Sequence, residues 1–188
     1  MPRIIGITGT PGVGKKSVAV LVAKKLDIAC IGLNDLALSY GLVNPKGSGK
    51  EVDTAAFRRR LRTHRPGPAV IYGHLFPSAV PASLVSRIAV LRCDPSVLKI
   101  RLENRGYPPS KVVENVEGEL IGLISADSFK AFGPDKSFEV NTTNTSPSDA
   151  AQAVADGAQS KESDPGRLDW TLNYDTGEKL RSLLSSGR

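Results

Sequence analysis

Cysteine is scarce in this chain: two residues in 188, Cys30 and Cys93, far apart in the sequence. They form no CxxC pair and have no metal-ligand spacing, which excludes a disulfide scaffold and a cysteine-held zinc site. Two buried free thiols in a reducing compartment are the expectation. Aromatic residues are also few, at 5% with one tryptophan, Trp170. No apolar run approaches the roughly 18 residues that a membrane helix needs. Residues 1–8 are too short for a signal peptide, so the chain is expected to be cytoplasmic and to have no membrane contact.

Hydrophobic residues at 40% and charged residues at 23% suit one globular domain with a sizeable core. The net charge of +6 hides an asymmetry. Residues 1–112 hold 18 Lys and Arg against 6 Asp and Glu, whereas residues 113–188 hold 7 against 13. A basic first part suits a polyanionic ligand such as a nucleotide phosphate, or RNA. The densest basic cluster is Arg58, Arg59, Arg60, Arg62, His64 and Arg65. With no aromatics interleaved, it reads first as a solvated helix face.

Apolar periodicity divides the chain into alternating elements. Residues 3–8, 28–33, 69–72, 88–93 and 137–141 read as strands, of which 69–72 and 88–93 have too few polar positions to be half exposed. Residues 15–26, 34–40, 54–64, 95–104 and 110–132 read as helices. Asp94 and Ser146 sit as N-caps, each followed by a proline at the first helical position. Residues 41–51, rich in Gly, Pro and Lys, read as a mobile connection. Residues 159–166 read as a polar linker, and Trp170 as the anchor of the tail. This alternation predicts an α/β fold of three layers, with a parallel five-stranded sheet covered on both faces.

The chemistry concentrates in residues 9–17, GTPGVGKKS, which contain G-x-x-x-x-G-K directly after the first expected strand and at the start of a helix. Glycines let successive backbone N–H groups turn inward toward phosphate oxygens, and the helix N-terminus adds partial positive charge. Lys15 reaches the β- and γ-phosphates in such a loop. In this context a P-loop NTPase outweighs a plain glycine turn. One position departs from the motif: the hydroxyl residue expected after the lysine, a Mg²⁺ ligand, is Lys16, with Ser17 next.

Further segments follow in order: LNDL at 33–36, GHL at 73–75, LRCDP at 91–95, RLENRGY at 101–107 and ENVEGE at 114–119. Together with the loop they resemble the small archaeal and eukaryotic nuclear-type adenylate kinases. Those are P-loop nucleoside-monophosphate kinases implicated in small ribosomal subunit maturation, and the resemblance covers about residues 1–145. It implies an ATP-dependent, broad-specificity kinase acting on AMP or other nucleoside monophosphates, with ATPase activity. It also implies a small-subunit ribosomal protein as partner, contact with rRNA, and Mg²⁺ held largely through water. The kinase domain would span 1–157, with a monophosphate-binding segment at about 32–53 and a lid at about 104–114. Residues 158–188 would form the linker and C-terminal tail.

By matched position, Gly12, Gly14, Lys15, Lys16 and Ser17 would bind the triphosphate, Arg105 would close over it, and His74 joins Lys15 and Arg105 as a catalytic candidate. His74 reads equally as a strand-end cap, and Arg92 and Arg101 as phosphate ligands or partners of local acids. Tyr72 stands where the family carries an acid that orders the Mg²⁺ water shell. No protein ligand to the metal is assigned, and Asp35, Asp53 and Asp94 stay open as substitutes. Two other readings are an ATP-gated ribosome assembly factor with weak or lost kinase activity, and a small kinase for a sugar or shikimate-like acceptor. The lid and LRCDP wording count against the latter.

Overall fold

The structure is a computed structural model, and it describes residues 4–46, 49–160 and 167–185. Five strands form one parallel sheet: β1 (Ile4–Thr8), β2 (Ala29–Gly32), β5 (Ala69–Tyr72), β6 (Val85–Arg92) and β7 (Ser137–Asn141), in the order β2-β5-β1-β6-β7. Around them lie α1 (Lys15–Leu26), α2 (Leu33–Ser39), α3 (Thr54–Thr63), α4 (Phe76–Ala79), α5 (Pro95–Glu103), α6 (Pro109–Leu120), α7 (Leu123–Phe132), α8 (Pro147–Gln159) and α9 (Gly177–Leu184). The expected three-layer α/β arrangement is present.

The central strands β1 and β5, and residues 88–91 of β6, read as apolar runs because both of their faces are covered. Alternate residues serve opposite layers. On one face Val70, Ala89, Leu91 and Val140 pack with Val18 and Val22 of α1, Leu98 of α5, Val116 of α6 and Val154 of α8. On the other, Ala69, Ile71, Val85 and Ile88 pack with Leu33, Phe57, Phe76 and Phe132 from α2, α3, α4 and α7. Each fully buried Val, Leu, Ile or Phe among them contributes about 1.5–3 kcal/mol of transfer free energy.

The strand order sets the site. From β1 the chain crosses to the edge strand β2, returns to β5 beside β1, and then passes to β6 and β7 on the other side. A crevice therefore opens beyond the carboxyl ends at β1, where ligands of open α/β sheets bind. The turn from β1 to α1 lies there.

Four sequence expectations are corrected. Residues 41–51 are not simply a loose connection: Val43–Lys46 (β3) and Gly49–Val52 (β4) pair as an antiparallel hairpin. The helix expected over 110–132 is two helices, α6 and α7. Gly122 at φ 66° breaks it by taking a left-handed conformation that costs glycine little. Strand β6 starts at Val85, earlier than expected, because Arg87 is accommodated inside it. The Arg87 guanidinium donates to the carbonyls of Gly157 and Asp135 and stacks 5.2 Å from the Phe138 ring. Finally, Cys93 is buried but Cys30 is exposed on the edge strand β2.

Trp170 is 8% exposed and joins the core cluster, as the tail anchor expected from the sequence. The expected linker falls largely on residues 161–166, outside the described residues. No described helix is long and apolar enough to cross a membrane.

Candidate active site

The β1–α1 turn has the shape its glycines permit. Gly12 and Gly14 lie at φ 100° and 101°, backbone that an L side chain rarely adopts, and a Cβ on Gly12 would also strike Leu98 Cδ1 at 2.6 Å. Gly14 is the N-cap of α1, and no side chain caps it. The orphan N–H groups of the first helical turn therefore face the crevice as an anion site.

Lys15 opens α1 and curls back over the loop. Its Nζ donates to the carbonyls of Gly9 at 2.8 Å and Thr10 at 2.9 Å. Burial pushes its pKa from 10.5 down to about 8, with the negative charge of Glu119 opposing the shift and the positive charge of Arg105 adding to it. Lys15 and Arg105 are therefore brought into electrostatic range of each other. Arg105 is exposed in the turn after α5, whose backbone is pinned by Arg105 N–H and Tyr107 N–H to the Leu102 carbonyl.

Two hydrogen bonds tie the loop after β5 to the end of β1: Thr8 Oγ1 donates to the Gly73 carbonyl at 2.8 Å, and Gly73 N–H to the Ile7 carbonyl. This sets His74 beside the phosphate loop. Desolvation first, and the charge of Lys15 second, lower the His74 pKa and favour a neutral imidazole. His74, Thr10, Pro11, Tyr107, Asn115 and Asp127 are among the residues lining a cavity of about 470 Å³.

Lys16 and Ser17 are exposed on the first turn of α1. The Lys16 charge reaches Cys30, where it opposes the upward shift that desolvation imposes on the thiol. In the same corner Asp35 and Tyr72 converge over Gly32. A Cβ on that glycine would lie 2.5 Å from Asp35 Oδ2 and 3.2 Å from Tyr72 Oη. Desolvation raises the Tyr72 phenol, with the Cys30 and Asp35 charges adding to it.

The arginines left open by the sequence have definite partners. Arg92 is buried: its Nε donates to Glu119 Oε1 at 2.8 Å and its Nη1 to Glu139 Oε1 at 2.7 Å. Arg101 Nη2 donates to the carbonyls of Thr142 and Thr143, each at 2.9 Å, while Thr142 Oγ1 donates to the Val13 carbonyl at 3.0 Å. Arg101 thus braces the β7–α8 turn against the phosphate loop. Of the open acids, Asp94 caps α5 and accepts from Ser96 and Tyr174, and Asp53 caps α3 through Ala56 N–H.

Sequence reasoning passed over Glu119. It accepts from Thr10 Oγ1 at 2.5 Å, Cys93 N–H at 3.0 Å, Trp170 Nε1 at 3.3 Å and Arg92, and is 2% exposed. A signal was present: Val112, Val116, Glu119 and Leu120 recur at helical-face spacing, and all four are buried.

A parallel sheet whose switch point carries this loop defines a P-loop NTPase of the small-kinase architecture. A model described as an AAA domain matches residues 5–122. A curated protein of Pyrococcus furiosus named "Putative adenylate kinase" is 36% identical over 174 residues, covering 92% of this chain and 93% of that one. One of the same name from Methanosarcina acetivorans is 36% identical over 185 residues, covering 89% and 97%. Shikimate kinase from Bacteroides thetaiotaomicron shares the fold alone, with a TM-score of 0.53 at 16% identity over 81% of this chain and 96% of that one. The chain belongs to the family of these archaeal adenylate-kinase-type proteins.

Proposed function

We propose that the protein transfers the γ-phosphoryl group of ATP to AMP or another nucleoside monophosphate, and hydrolyses ATP slowly when no acceptor is bound. The observation that carries this reading is Lys15, a cation desolvated at the switch-point crevice and folded onto its own loop's carbonyls. Family membership supplies the acceptor class.

On this reading Lys15 leaves the Gly9 and Thr10 carbonyls for the phosphate oxygens, beside the backbone N–H groups of residues 12–17 and the Ser17 hydroxyl. An oxygen of the monophosphate attacks the γ-phosphorus, the bond from that phosphorus to the β–γ bridging oxygen breaks, and two nucleoside diphosphates result. Catalysis is positioning and charge neutralisation. Arg105, exposed on a short turn, closes over the transferring group and keeps water out. His74, neutral and at the edge of the cavity, donates or accepts one hydrogen bond to the acceptor.

The residues fit a nucleotide-borne Mg²⁺ rather than one held by the protein. Among the described residues no group of three or more His, Cys, Asp or Glu could hold a metal ion. Asp53 and Asp94 serve as helix caps, which leaves Asp35, beside Tyr72, as the carboxylate to hold metal-bound water. When bound, the ion would offset the charge of the phosphate oxygens.

A coupled assay with ATP, AMP and Mg²⁺ tests the proposal, with ADP formation dependent on AMP as the expected result. ATP turnover indifferent to every monophosphate would overturn it. Lys16 and Tyr72 favour a second reading, an ATP-gated factor for small-subunit assembly with weak kinase turnover. It requires ATP-dependent capture of a small-subunit ribosomal protein or rRNA.

A further inference from the structure

The C-terminal segment meets the phosphate loop through one buried polar cluster. Glu119 receives Thr10 Oγ1 from the loop on Oε2, and Trp170 Nε1 and Arg92 Nε on Oε1. Arg92 also donates to the Leu168 carbonyl at 3.1 Å and to the Glu119 carbonyl at 2.9 Å. Glu139 takes the Leu168 N–H, the Ser125 hydroxyl and the other arm of Arg92. A tail held only as packing would use its apolar side chains. Here its backbone N–H, a carbonyl and its indole N–H all enter the cluster that also grips the loop.

The charges point the same way. The Arg92 guanidinium bridges the two carboxylates of this cluster, and the Glu119 charge favours the protonated form of Lys15. Buried ions are tolerated only when fully paired, and a network satisfied on this scale rigidifies what it touches. Thr10 supplies a carbonyl that holds Lys15 Nζ and, from its side chain, the hydroxyl bound to Glu119. A loop that shifted when phosphate drew Lys15 away would therefore pull on Glu119, and through it on the indole.

We infer that Glu119 and Trp170 are positioning residues for phosphoryl transfer, the docked C-terminal segment fixing the phosphate loop through Glu119 and Thr10. This rests on reading residues 9–17 as the triphosphate site. Because Trp170 is the sole tryptophan, its emission reports on the coupling directly.

The test uses the full chain and a non-hydrolysable ATP analogue, AMP-PNP, with Mg²⁺. Binding is measured by calorimetry and, in parallel, by Trp170 emission. In the wild type the emission change saturates with the calorimetric Kd. In Thr10→Val, which removes only the hydroxyl link, the analogue still binds within about tenfold while the emission change falls by at least half. Trp170→Phe keeps an aromatic ring but loses the N–H. Per active site, counted from the calorimetric stoichiometry of AMP-PNP, it lowers kcat at least fivefold while the KM for ATP moves less than threefold, a loss that a smaller folded fraction would not give. Saturable calorimetric binding with silent emission in the wild type, or unchanged kcat in Trp170→Phe, overturns the inference. No calorimetric binding, or equal binding by Lys15→Ala, instead overturns the reading of the triphosphate site, and the inference with it.

Discussion

The phosphate loop and the corner formed by Gly32, Asp35, Tyr72, Cys30 and Lys16 flank the same crevice but are built differently. The loop's Thr10 is 3% exposed and Glu119 2%, and the hydrogen bonds reach β6, α6, β7 and the tail. The corner stands on β2, an edge strand with exposed Cys30, and Lys16 is exposed at the first turn of α1. Groups that must meet developing charge without reorganising belong on the buried side. An exposed corner tolerates substitution, and it is where the departures from the P-loop pattern fall. If that division is right, changes at the loop should be far more damaging than changes at the corner.

The largest expected effect is at Lys15. Lys15→Ala removes the cation placed to follow the γ-phosphate, and kcat/KM should fall by about 10³-fold or more. Wild-type turnover in this variant would erase the contrast between the two regions. Next comes Arg105→Ala, on an exposed turn and remote from the core. Its loss should lower kcat by roughly 10–100-fold, leave the melting temperature unchanged, and raise the share of ATP lost to hydrolysis. An unchanged ratio of transfer to hydrolysis would remove Arg105 from the site.

A pH titration sharpens the same point without mutation. The pKa of Lys15 in the free protein is about 8, below its ordinary 10.5. Phosphate binds the protonated form, so ATP affinity should hold below pH 8. Above it, affinity should fall by about tenfold per unit, with proton uptake on binding. The stability of the empty protein moves the other way. Between pH 8 and 10.5 the unfolded chain carries the proton that the folded one has lost, so this group's contribution to stability rises with pH across that window. Nucleotide affinity flat from pH 7 to pH 9.5 would show that Lys15 is not the group being read.

What was legible in the sequence was local. The loop follows from glycine spacing between a β-branched run and a helical one, and the central strands follow from their short apolar runs, as at 69–72. What was not legible depended on partners distant in sequence. Glu119 lies in an acidic run, ENVEGE, where composition alone does not separate the buried carboxylate from its exposed neighbours; its acceptor role needs Arg92 and Trp170, 27 and 51 residues away. Arg87 interrupts the apolar pattern of β6, so the strand's first residues, 85–87, are recognisable only once Gly157 and Asp135 supply carbonyls. Cys30 looks like a core residue until β2 is seen to be at the edge.

The smallest expected effect lies at the corner, in Tyr72→Asp. The phenol sits with Asp35 over Gly32, and its pKa is raised first by desolvation and then by the Cys30 and Asp35 charges. A carboxylate there would accept from metal-bound water with a full negative charge that a neutral phenol lacks, and would offset part of the positive charge of Lys16. It would also face Asp35, and two carboxylates this close resist joint ionisation unless a cation lies between them. Both effects make the site more dependent on the metal. The Mg²⁺ concentration giving half-maximal kinase rate should therefore fall, by about threefold to tenfold, while the rate in excess EDTA falls or stays at background. Tyr72 is only partly buried and packs against the α1 side of the core, so the loss in stability should be about 1–2 kcal/mol, measurable by urea unfolding and separable from the metal effect. Mg²⁺ curves that superimpose for the two folded proteins would make Tyr72 a packing residue and leave Asp35 as the corner's sole contribution to the metal.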